Sequence, residues 1–325
     1  MSDVESRRSL VTGATGYIGG HLAAMLVEQG QNVRAMARTP EKLDDAPWRD
    51  QAEVAHGDLA DPESLTAAFD GVDVVYYLVH SMGTSRDFVS EEEKSAHNVV
   101  AAAEKAGVRR VVYLSGLHPK GELSRHLKSR NKVGEILMAS SVEAVVLQAG
   151  IVIGSGSASF EMVRHLTDRL PVMTTPKWVR NKIQPISIDD VLYYLSEAAD
   201  APIPESRTFD VGCQDVLEYA DAMQIYAEEA GLRRRIIVAL PLLTPSIASW
   251  WVGLVTPIPS GLARPLVESL EHDAVMSEHD IDDVIPPPPG GLTSYRDSVR
   301  RALESDGTNG KGRRHLIRFS SIAPQ

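Results

Sequence analysis

Three glycines near the start of the chain have the spacing of a phosphate-binding turn. Gly13, Gly16 and Gly19 are separated by two residues each, after an apolar run and before a helical pattern. In such a turn the first glycine permits a tight bend, the second lets the backbone approach a pyrophosphate, and the third lets helix and strand pack closely. The helix N-terminus then faces the anion. The sequence therefore predicts a dinucleotide site here, which also includes Thr15, Tyr17 and Ile18.

An arginine at the end of the next predicted strand bears on the choice of nucleotide. NAD-binding chains of this type place an acidic residue there, where it binds the ribose 2′-hydroxyl. This chain has Arg38 instead, with Arg34 nearby and no acid before Glu41. A guanidinium can pair with a 2′-phosphate through two hydrogen bonds. We therefore expect NADP(H) as the preferred cofactor and NAD(H) as the alternative, unless Arg38 is only an exposed surface residue.

Strand and helix patterns alternate along the first half of the chain and must position these residues. Predicted strands lie at 9–12, 33–37, 52–61, 72–79, 108–116 and 145–148, and predicted helices at 62–69, 90–106 and 122–137. This alternation predicts an α/β fold of the Rossmann type, a doubly wound parallel sheet with helices on both faces and a smaller, mostly helical C-terminal substrate region. We expect a nucleotide-binding core at 1–155, a substrate or lid region interleaved with it at 156–305, and a disordered tail at 306–325.

The segment TGATGYIG resembles the extended and atypical branches of the short-chain dehydrogenase/reductase superfamily. Later segments, among them SGLHP and QPISIDDVLYYL, are similar to the NmrA-like and complex I accessory-subunit branch. The resemblance implies an adenine site at Asp58 and Leu59, contact of the cofactor's central portion with Leu78, Val79 and His80, and a nicotinamide side at Gly150 and Ile151. An alternative role for Asp58 is to cap the helix at 62–69.

The same resemblance implies where catalysis would occur. In the superfamily a Ser or Thr after the fifth strand polarises a carbonyl, and a YxxxK pair on the next helix supplies the proton. Ser115 fits the first role, but the helix has His126 and Arg130 at the positions of the tyrosine and lysine. Histidine can donate a proton near neutral pH, and arginine can hold ribose or phosphate oxygens. His118 is a second candidate acid, and His126 can instead be a plain helix-surface residue.

Two further groups of polar residues have alternative roles. Ser155, Ser157 and Ser159 can contact a substrate or cap the helix that follows them, and capping is favoured because serine is a preferred N-cap residue. Asp189 and Asp190 open a later predicted helix. Since the two aspartates are adjacent and need not face one point, an N-cap role is favoured over paired acid–base catalysis.

Composition limits the possible partners and compartments. A formal net charge of −11 disfavours a nucleic-acid partner, which would require a basic face. The single cysteine, Cys213, excludes an intrachain disulfide and indicates a reducing, cytoplasmic location. The residues at the N-terminus lack the apolar core of a signal peptide, and no metal-ligand spacing is visible.

A stretch without charged residues, 236–263, follows three arginines. It is long enough to span a membrane, but four prolines interrupt any continuous helix. We expect short helices that fold over the strand ends as an apolar roof and include Trp250 and Trp251. Peripheral membrane contact and ordinary core packing are the alternatives.

These features predict an NADP(H)-binding oxidoreductase that reduces an apolar carbonyl, enone or quinone-like small molecule. The altered YxxxK pair favours the alternative, a non-catalytic redox sensor or a scaffold protein of a membrane-associated complex. The expected apolar roof favours the enzyme. Substrate identity and oligomeric state remain open at this stage.

Overall fold

Parallel β-strands form the centre of the computed structural model, which describes residues 7–80, 87–118, 123–239 and 270–307. The strands are β1 (Arg8–Thr12), β2 (Asn32–Ala37), β3 (Glu53–His56), β4 (Val74–Tyr77), β5 (Arg110–Gly116), β6 (Glu143–Ala149), β7 (Val152–Ile153), β8 (Val172–Thr175), β9 (Lys182–Ile183), β10 (Ile186–Ser187), β11 (Arg207–Val211), β12 (Leu217–Glu218) and β13 (Ile236–Ala239). The α-helices are α1 (Tyr17–Glu28), α2 (Pro62–Ala68), α3 (Phe88–Ala106), α4 (Arg125–Met138), α5 (Ala158–Arg169), α6 (Ile188–Ala198), α7 (Tyr219–Glu229) and α8 (Tyr295–Ser305).

Seven of the described strands build one parallel sheet, in the order β11-β6-β5-β4-β1-β2-β3. Along this order the strand numbers fall from β11 to β4 and rise from β1 to β3, so the sequence order of the strands reverses between β4 and β1. Ligands in open α/β sheets bind outside the carboxyl ends of the strands at such a switch point. The predicted Rossmann-type fold is confirmed, and it places the glycine turn after β1 at that point.

The apolar runs of the central strands reflect burial on both faces. In β4 and β5, Tyr76 and Val112 face a core completed by α1 and α6, whereas Tyr77 and Val111 face a core completed by α2, α3 and α4. This alternation follows from the two-residue period of a strand. Strands of a sheet covered on both sides are continuously hydrophobic, which is the pattern at 74–79 and 111–114.

A third apolar cluster lies apart from these two cores and is built from α5, α7 and α8, with Phe160, Tyr226 and Val299 among its members. The C-terminal half of the chain is not confined to this cluster. It also supplies β11 to the edge of the sheet and α6 to one of its faces. The division near residue 155 therefore stays a prediction, since both regions contribute to one core.

Several expected helix caps are wrong, because other residues take those positions. Asp58 does not cap α2, since the Asp61 carboxylate accepts the Glu63 amide at 3.1 Å. Ser187, not Asp189 or Asp190, caps α6 by accepting the Asp190 amide at 2.9 Å.

The Asp190 carboxylate is buried and instead accepts the Thr293 amide at 2.8 Å, while Asp189 pairs with Arg301 at 3.0 Å. The expected capping role also fails at α5. Ser157 stands at its N-cap position, but its hydroxyl donates to the Val152 carbonyl at 2.7 Å. Ser155 donates to Asp306.

Part of the uncharged stretch lies within the described residues. Ile236–Ala239 form β13, which pairs with β8 in parallel, so the expected short helices are wrong for these four residues. Positions 240–263, with Trp250 and Trp251, lie outside the described residues, as does most of the expected tail at 306–325. No helix among the residues that the structure describes is long and apolar enough to cross a membrane.

Candidate nucleotide and catalytic site

The glycine turn after β1 leaves room for a ligand at only one of its three glycines. Gly13 has a φ of +68°, and a Cβ there would lie 2.9 Å from the Leu78 carbonyl oxygen. A Cβ on Gly19 would overlap the carbonyl oxygen of Gly13. Gly16 is exposed and has extended backbone angles, so its main chain is open to an approaching group. These positions match the bend, the packing contact and the pyrophosphate approach, respectively.

The N-terminus of α1 has the properties of an anion-binding site. No side chain caps it, and its first turn contains no acidic residue. Uncapped amides at a helix N-terminus and the helix dipole both favour a phosphate group. Thr15 is exposed at this end and Ile18 is half-buried. The residues present therefore fit the pyrophosphate of a dinucleotide.

The Tyr17 side chain packs against the loop after β7. Its ring packs near Gly154 and lies 4.6 Å from the ring of His21. Burial raises the pKa of Tyr17, and the Asp189 carboxylate raises it further. Tyr17 therefore stays protonated and packs the turn against the loop after β7.

A threonine that the sequence reasoning missed fixes the turn against the neighbouring strand. The Thr12 hydroxyl donates to the Tyr76 carbonyl at 3.0 Å and accepts the Leu78 amide at 3.1 Å. Both bonds join the carboxyl ends of β1 and β4, where the crevice lies. A buried threonine directly before the first glycine was the available signal.

The two arginines of β2 differ in what they contact. Arg34 is buried, pairs with Glu53 at 3.0 Å, and donates to the Ala68 and Asp70 carbonyls at 2.8 Å. Arg38 is exposed immediately after the strand. Its guanidinium has no ion pair or hydrogen bond within the described residues. The guanidinium of Arg34 is thus occupied by contacts within the protein, whereas that of Arg38 can bind a ligand.

The candidate adenine residues follow β3. The Asp58 carboxylate accepts the Ala60 amide at 2.9 Å, and the Asp58 amide donates to the Ser64 hydroxyl at 3.0 Å. Leu59 is buried, and its carbonyl accepts the Asn98 side-chain amide at 2.8 Å. The loop is therefore held in place from α2 and α3, with the Asp58 side chain only half-buried.

Leu78, Val79 and His80 lie at the end of β4, as the resemblance implies, and each is half-buried. The Leu78 carbonyl and the Val79 side chain border Gly13. His80 packs edge-on against Tyr113 with ring centroids 5.8 Å apart. Burial lowers the pKa of His80 well below its ordinary value, and the positive charge of Arg130 lowers it further. His80 is therefore neutral at pH 7.

Ser115 and Arg130 converge at the carboxyl end of β5. The Ser115 side chain is buried, and its hydroxyl has no hydrogen-bond partner in the described chain. A Cβ placed on the next residue, Gly116, would lie 3.5 Å from Arg130 Nη1. The guanidinium makes no hydrogen bond or ion pair with any described residue. An unpaired donor and a fixed positive charge thus face the edge of the sheet where the cofactor's reactive end is expected.

His126 lies one helical turn before Arg130 on α4, so the two share a helix face. Its ring stacks on the ring of Phe88 in α3 with centroids 4.5 Å apart and 18° between planes. The Arg125 guanidinium lies 4.8 Å from the centroid of the same phenylalanine ring. Phe88, which the sequence reasoning did not single out, is buried and holds the orientation of the imidazole.

The second candidate acid has its own positioning residue. His118 is partly buried, and the Gln148 side-chain amide lies 3.1 Å from its Nδ1. Burial lowers the pKa of His118, which is therefore mostly neutral at pH 7. Gln148 is the strand neighbour of Ser115 in the β5–β6 register. A glutamine inside the otherwise apolar run of β6 was a signal for this contact.

Gly150 and Ile151 continue from β6 to the floor of the same edge. A Cβ on Gly150 would lie 2.6 Å from the Gln184 carbonyl oxygen, so only glycine fits there. The Ile151 carbonyl accepts the Ile186 amide at 3.0 Å. The chain after β6 is thereby held against the segment before α6.

Two other classes of site have no support among the residues that the structure describes. No group of three or more His, Cys, Asp or Glu side chains there is placed to hold a metal ion. Cys213 is buried, and burial raises the pKa of its thiol to about 11. A thiol with that pKa is a poor nucleophile at neutral pH.

Comparison with known proteins agrees with this geometry. Residues 13–156 match the family described as NAD(P)H-binding. Over 121 residues, the chain is 33% identical to a 3β-hydroxysteroid dehydrogenase/Δ5→4-isomerase of Mycobacterium tuberculosis. The aligned region covers 34% of this chain and 32% of that protein. The match thus spans about a third of that relative.

Two comparisons cover most of the chain. A ceramide reductase of Caulobacter vibrioides is 24% identical over 78% of this chain and 81% of its own length. The structure of the NADPH-dependent quinone oxidoreductase QOR2 of Escherichia coli, complexed with NADPH, superimposes with a TM-score of 0.69 at 18% identity, covering 90% of this chain and 98% of that one. At this identity the structural likeness concerns the fold.

The glycine turn, the uncapped helix N-terminus and the family match all fall on the same segment. Each independently fits a bound dinucleotide. The resemblance stated from the sequence motifs agrees with these matches: residues 13–156 match the NAD(P)H-binding family, and the chain is similar to short-chain dehydrogenases/reductases.

Proposed function

We propose that this protein is an NADPH-dependent reductase of an apolar carbonyl, enone or quinone-like substrate. The observation that carries the proposal is the buried Ser115 hydroxyl at the end of β5, which has no hydrogen-bond partner in the described chain, together with the Arg130 guanidinium near the adjacent Gly116. A buried hydroxyl without a hydrogen bond is unfavourable, and a ligand oxygen would relieve it.

The roles of the two residues follow from their chemistry. A bound NADPH supplies the hydride. The Ser115 hydroxyl can donate a hydrogen bond to a carbonyl oxygen that points at the end of β5. Arg130 is always charged and cannot act as a proton donor, so its role is to stabilise negative charge or to hold ribose or phosphate oxygens.

The proton is assigned to His126. It occupies the family's tyrosine position, shares a helix face with Arg130, and is oriented by its stack on Phe88. An imidazolium can protonate a developing alkoxide near neutral pH. His118, held by Gln148 next to Ser115, is the alternative donor.

The preference for NADPH is assigned to Arg38. Its guanidinium is exposed after β2, and within the described chain it is not used by any carboxylate. Arg34 cannot share this role, because its donors are occupied by Glu53 and two carbonyls.

The substrate class rests on the relatives and on the uncharged stretch. Two proteins that match most of the chain are named for reduction of ceramide and of quinones, both with large apolar parts. By analogy we assign a hydrophobic acceptor to this chain.

The test is NADPH oxidation by the purified protein against a panel of quinones, enones and aldehydes. We expect steady turnover with at least one apolar acceptor. Ser115→Ala should lower kcat/KM by about 10- to 100-fold, the range of a lost hydrogen bond to developing charge. Lys128→Gln, an exposed cation on the same helix, is the matched control and should leave turnover unchanged.

NADPH binding without turnover on the whole panel would contradict the enzyme. It would leave the alternative of an NADP(H)-binding redox sensor or scaffold protein. Turnover that survives Ser115→Ala unchanged would instead contradict the assignment of the site while keeping the reductase.

A further inference from the structure

The parallel pair β8 and β13 has one face packed and one face open. On the packed face, Met173 is buried and Ile237 lies against the cluster of α5, α7 and α8. On the open face, Val172 is 56% exposed, Ile236 59% and Val238 44%. Ile236 and Val172 are direct neighbours in the register, so these three side chains form one patch. We call this patch, with the intervening Thr174, the aliphatic face.

Exposed large hydrophobic residues are rare on the described surface. Of the large hydrophobic residues exposed there, three of four belong to the aliphatic face, and the fourth is Val216. Single exposed aliphatic residues are common on proteins, but a contiguous group indicates an interaction surface.

Two cations adjoin the aliphatic face. Arg233 and Arg234 are exposed immediately before β13. Neither side chain has an ion pair or hydrogen bond with the described residues. Arg235, by contrast, is buried, and its guanidinium donates to the Thr167 carbonyl at 2.8 Å. Two exposed arginines without an ion pair to any described residue are notable in a chain whose net charge is −11.

We infer that the aliphatic face and these two arginines form a docking surface for an anionic lipid bilayer. Aliphatic side chains that enter the interface beside arginines that meet lipid phosphates are the combination that peripheral membrane proteins use. A second copy of this chain would place its own Arg233 and Arg234 near the first pair if the contact were symmetric, and the like charges would repel. The charge pattern therefore favours a lipid surface over self-association.

The surface is independent of the nucleotide site. β8 and β13 pair with each other, not with the central sheet. Failure of the reductase proposal would leave this inference intact, and the reverse also holds. If both are correct, the enzyme works at the boundary where apolar substrates are dissolved.

The test is cosedimentation of the whole protein with sucrose-loaded vesicles of phosphatidylcholine containing phosphatidylglycerol, and with vesicles of phosphatidylcholine alone. We expect binding to the anionic vesicles that weakens as salt is raised. Arg233→Gln with Arg234→Gln should weaken it on the order of 25-fold, about fivefold for each cation at an anionic surface. Lys94→Gln with Lys105→Gln, which removes two exposed cations from α3, is the matched control.

The apolar part is tested by Val172→Thr, Ile236→Thr and Val238→Thr together. Threonine keeps the β-branched shape that a strand favours, so the fold should survive, and circular dichroism checks this. Binding should fall at least tenfold, whereas the control Val216→Thr should bind as the wild type does. Wild-type protein that stays in the supernatant overturns the inference, and so does equal binding by the triple variant. Reversible dimerisation that the triple variant abolishes, without vesicle binding, would identify a second copy as the partner and overturn it as well.

Discussion

The imidazole of His126 lies flat on the ring of Phe88, with 4.5 Å between the ring centroids. A phenylalanine at position 126 would preserve this aromatic pair and remove only the ionisable nitrogens. We therefore expect His126→Phe to lower kcat for an active acceptor by about 10²-fold or more, the usual effect of a positioned acid. NADPH affinity should change little. Wild-type turnover in this variant would move the proton donor to His118 or to water.

Arg130 makes a prediction that does not depend on turnover. Burial is the main cause of the low pKa of His80 and the charge of Arg130 lowers it further, so Arg130→Gln should raise that pKa part of the way toward the ordinary histidine value. NMR titration of the His80 ring measures this, with Arg130→Lys as the charge-conserving control. In the reductase assay the Gln variant should lose about 10- to 100-fold in kcat/KM. An unchanged His80 titration would show that the guanidinium does not lie where the structure has it.

Arg38 should determine cofactor preference. Arg38→Ala is expected to weaken NADPH binding by about 1–3 kcal/mol, the range for a hydrogen bond to a charged group. NADH binding serves as the internal control and should be unaffected, because that nucleotide has no 2′-phosphate. Fluorescence titration of both nucleotides gives the two affinities. Equal affinities in the wild type would contradict the assignment.

Substitutions at Gly16 and Gly20 distinguish an effect on nucleotide binding from an effect on folding. A Cβ on Gly16 would lie 3.2 Å from the Gly13 carbonyl oxygen, a contact that a small shift relieves. We expect Gly16→Val to abolish nucleotide binding while the circular dichroism spectrum stays native. Gly20→Ala, with a Cβ 3.3 Å from the Ala14 carbonyl oxygen inside α1, should bind normally. Retained binding in Gly16→Val would place the nucleotide elsewhere.

The lowered pKa of His80 also predicts a pH dependence of stability. Below the ordinary histidine pKa of about 6.5, His80 is protonated in the unfolded chain but stays neutral in the folded protein, because its folded pKa is lower. The free energy of unfolding is therefore not reduced by His80 above pH 6.5. As the pH falls from 6.5 toward the folded pKa of His80, this free energy decreases by at most about 1.4 kcal/mol per pH unit. Urea unfolding of wild type and His80→Gln between pH 8 and 5.5 measures this slope, with exposed His56→Gln as the control. Parallel curves for wild type and His80→Gln would refute it.

Local sequence patterns were sufficient to predict the sheet and the nucleotide turn. Apolar runs mark strands covered on both faces, and three glycines at fixed spacing mark the bend, the approach and the packing contact. The place of Arg38 followed from its position after β2. These features depend on neighbours within a few residues, which the sequence displays directly.

The rest depended on contacts between distant parts of the chain. Asp190 reads as a helix cap until Thr293, over a hundred residues later, binds its carboxylate. The sequence predicts that Ile236 begins a short apolar helix, but in the structure Ile236 pairs with Val172 of a distant strand. Phe88 and Gln148 became part of the candidate site only because folding brings them to His126 and His118.

The last strand of the central sheet has a consequence for how this protein is made. β11 pairs with β6, yet it begins at Arg207 and therefore leaves the ribosome about 60 residues after β6 ends. At a synthesis rate of roughly 5–20 residues per second, the nascent chain carries an unpaired, hydrophobic strand edge for several seconds. That interval is a window for chaperone capture or for pairing with a neighbouring nascent chain. Because β11 is made so long after β6, slower translation across residues 150–211 would lengthen this interval.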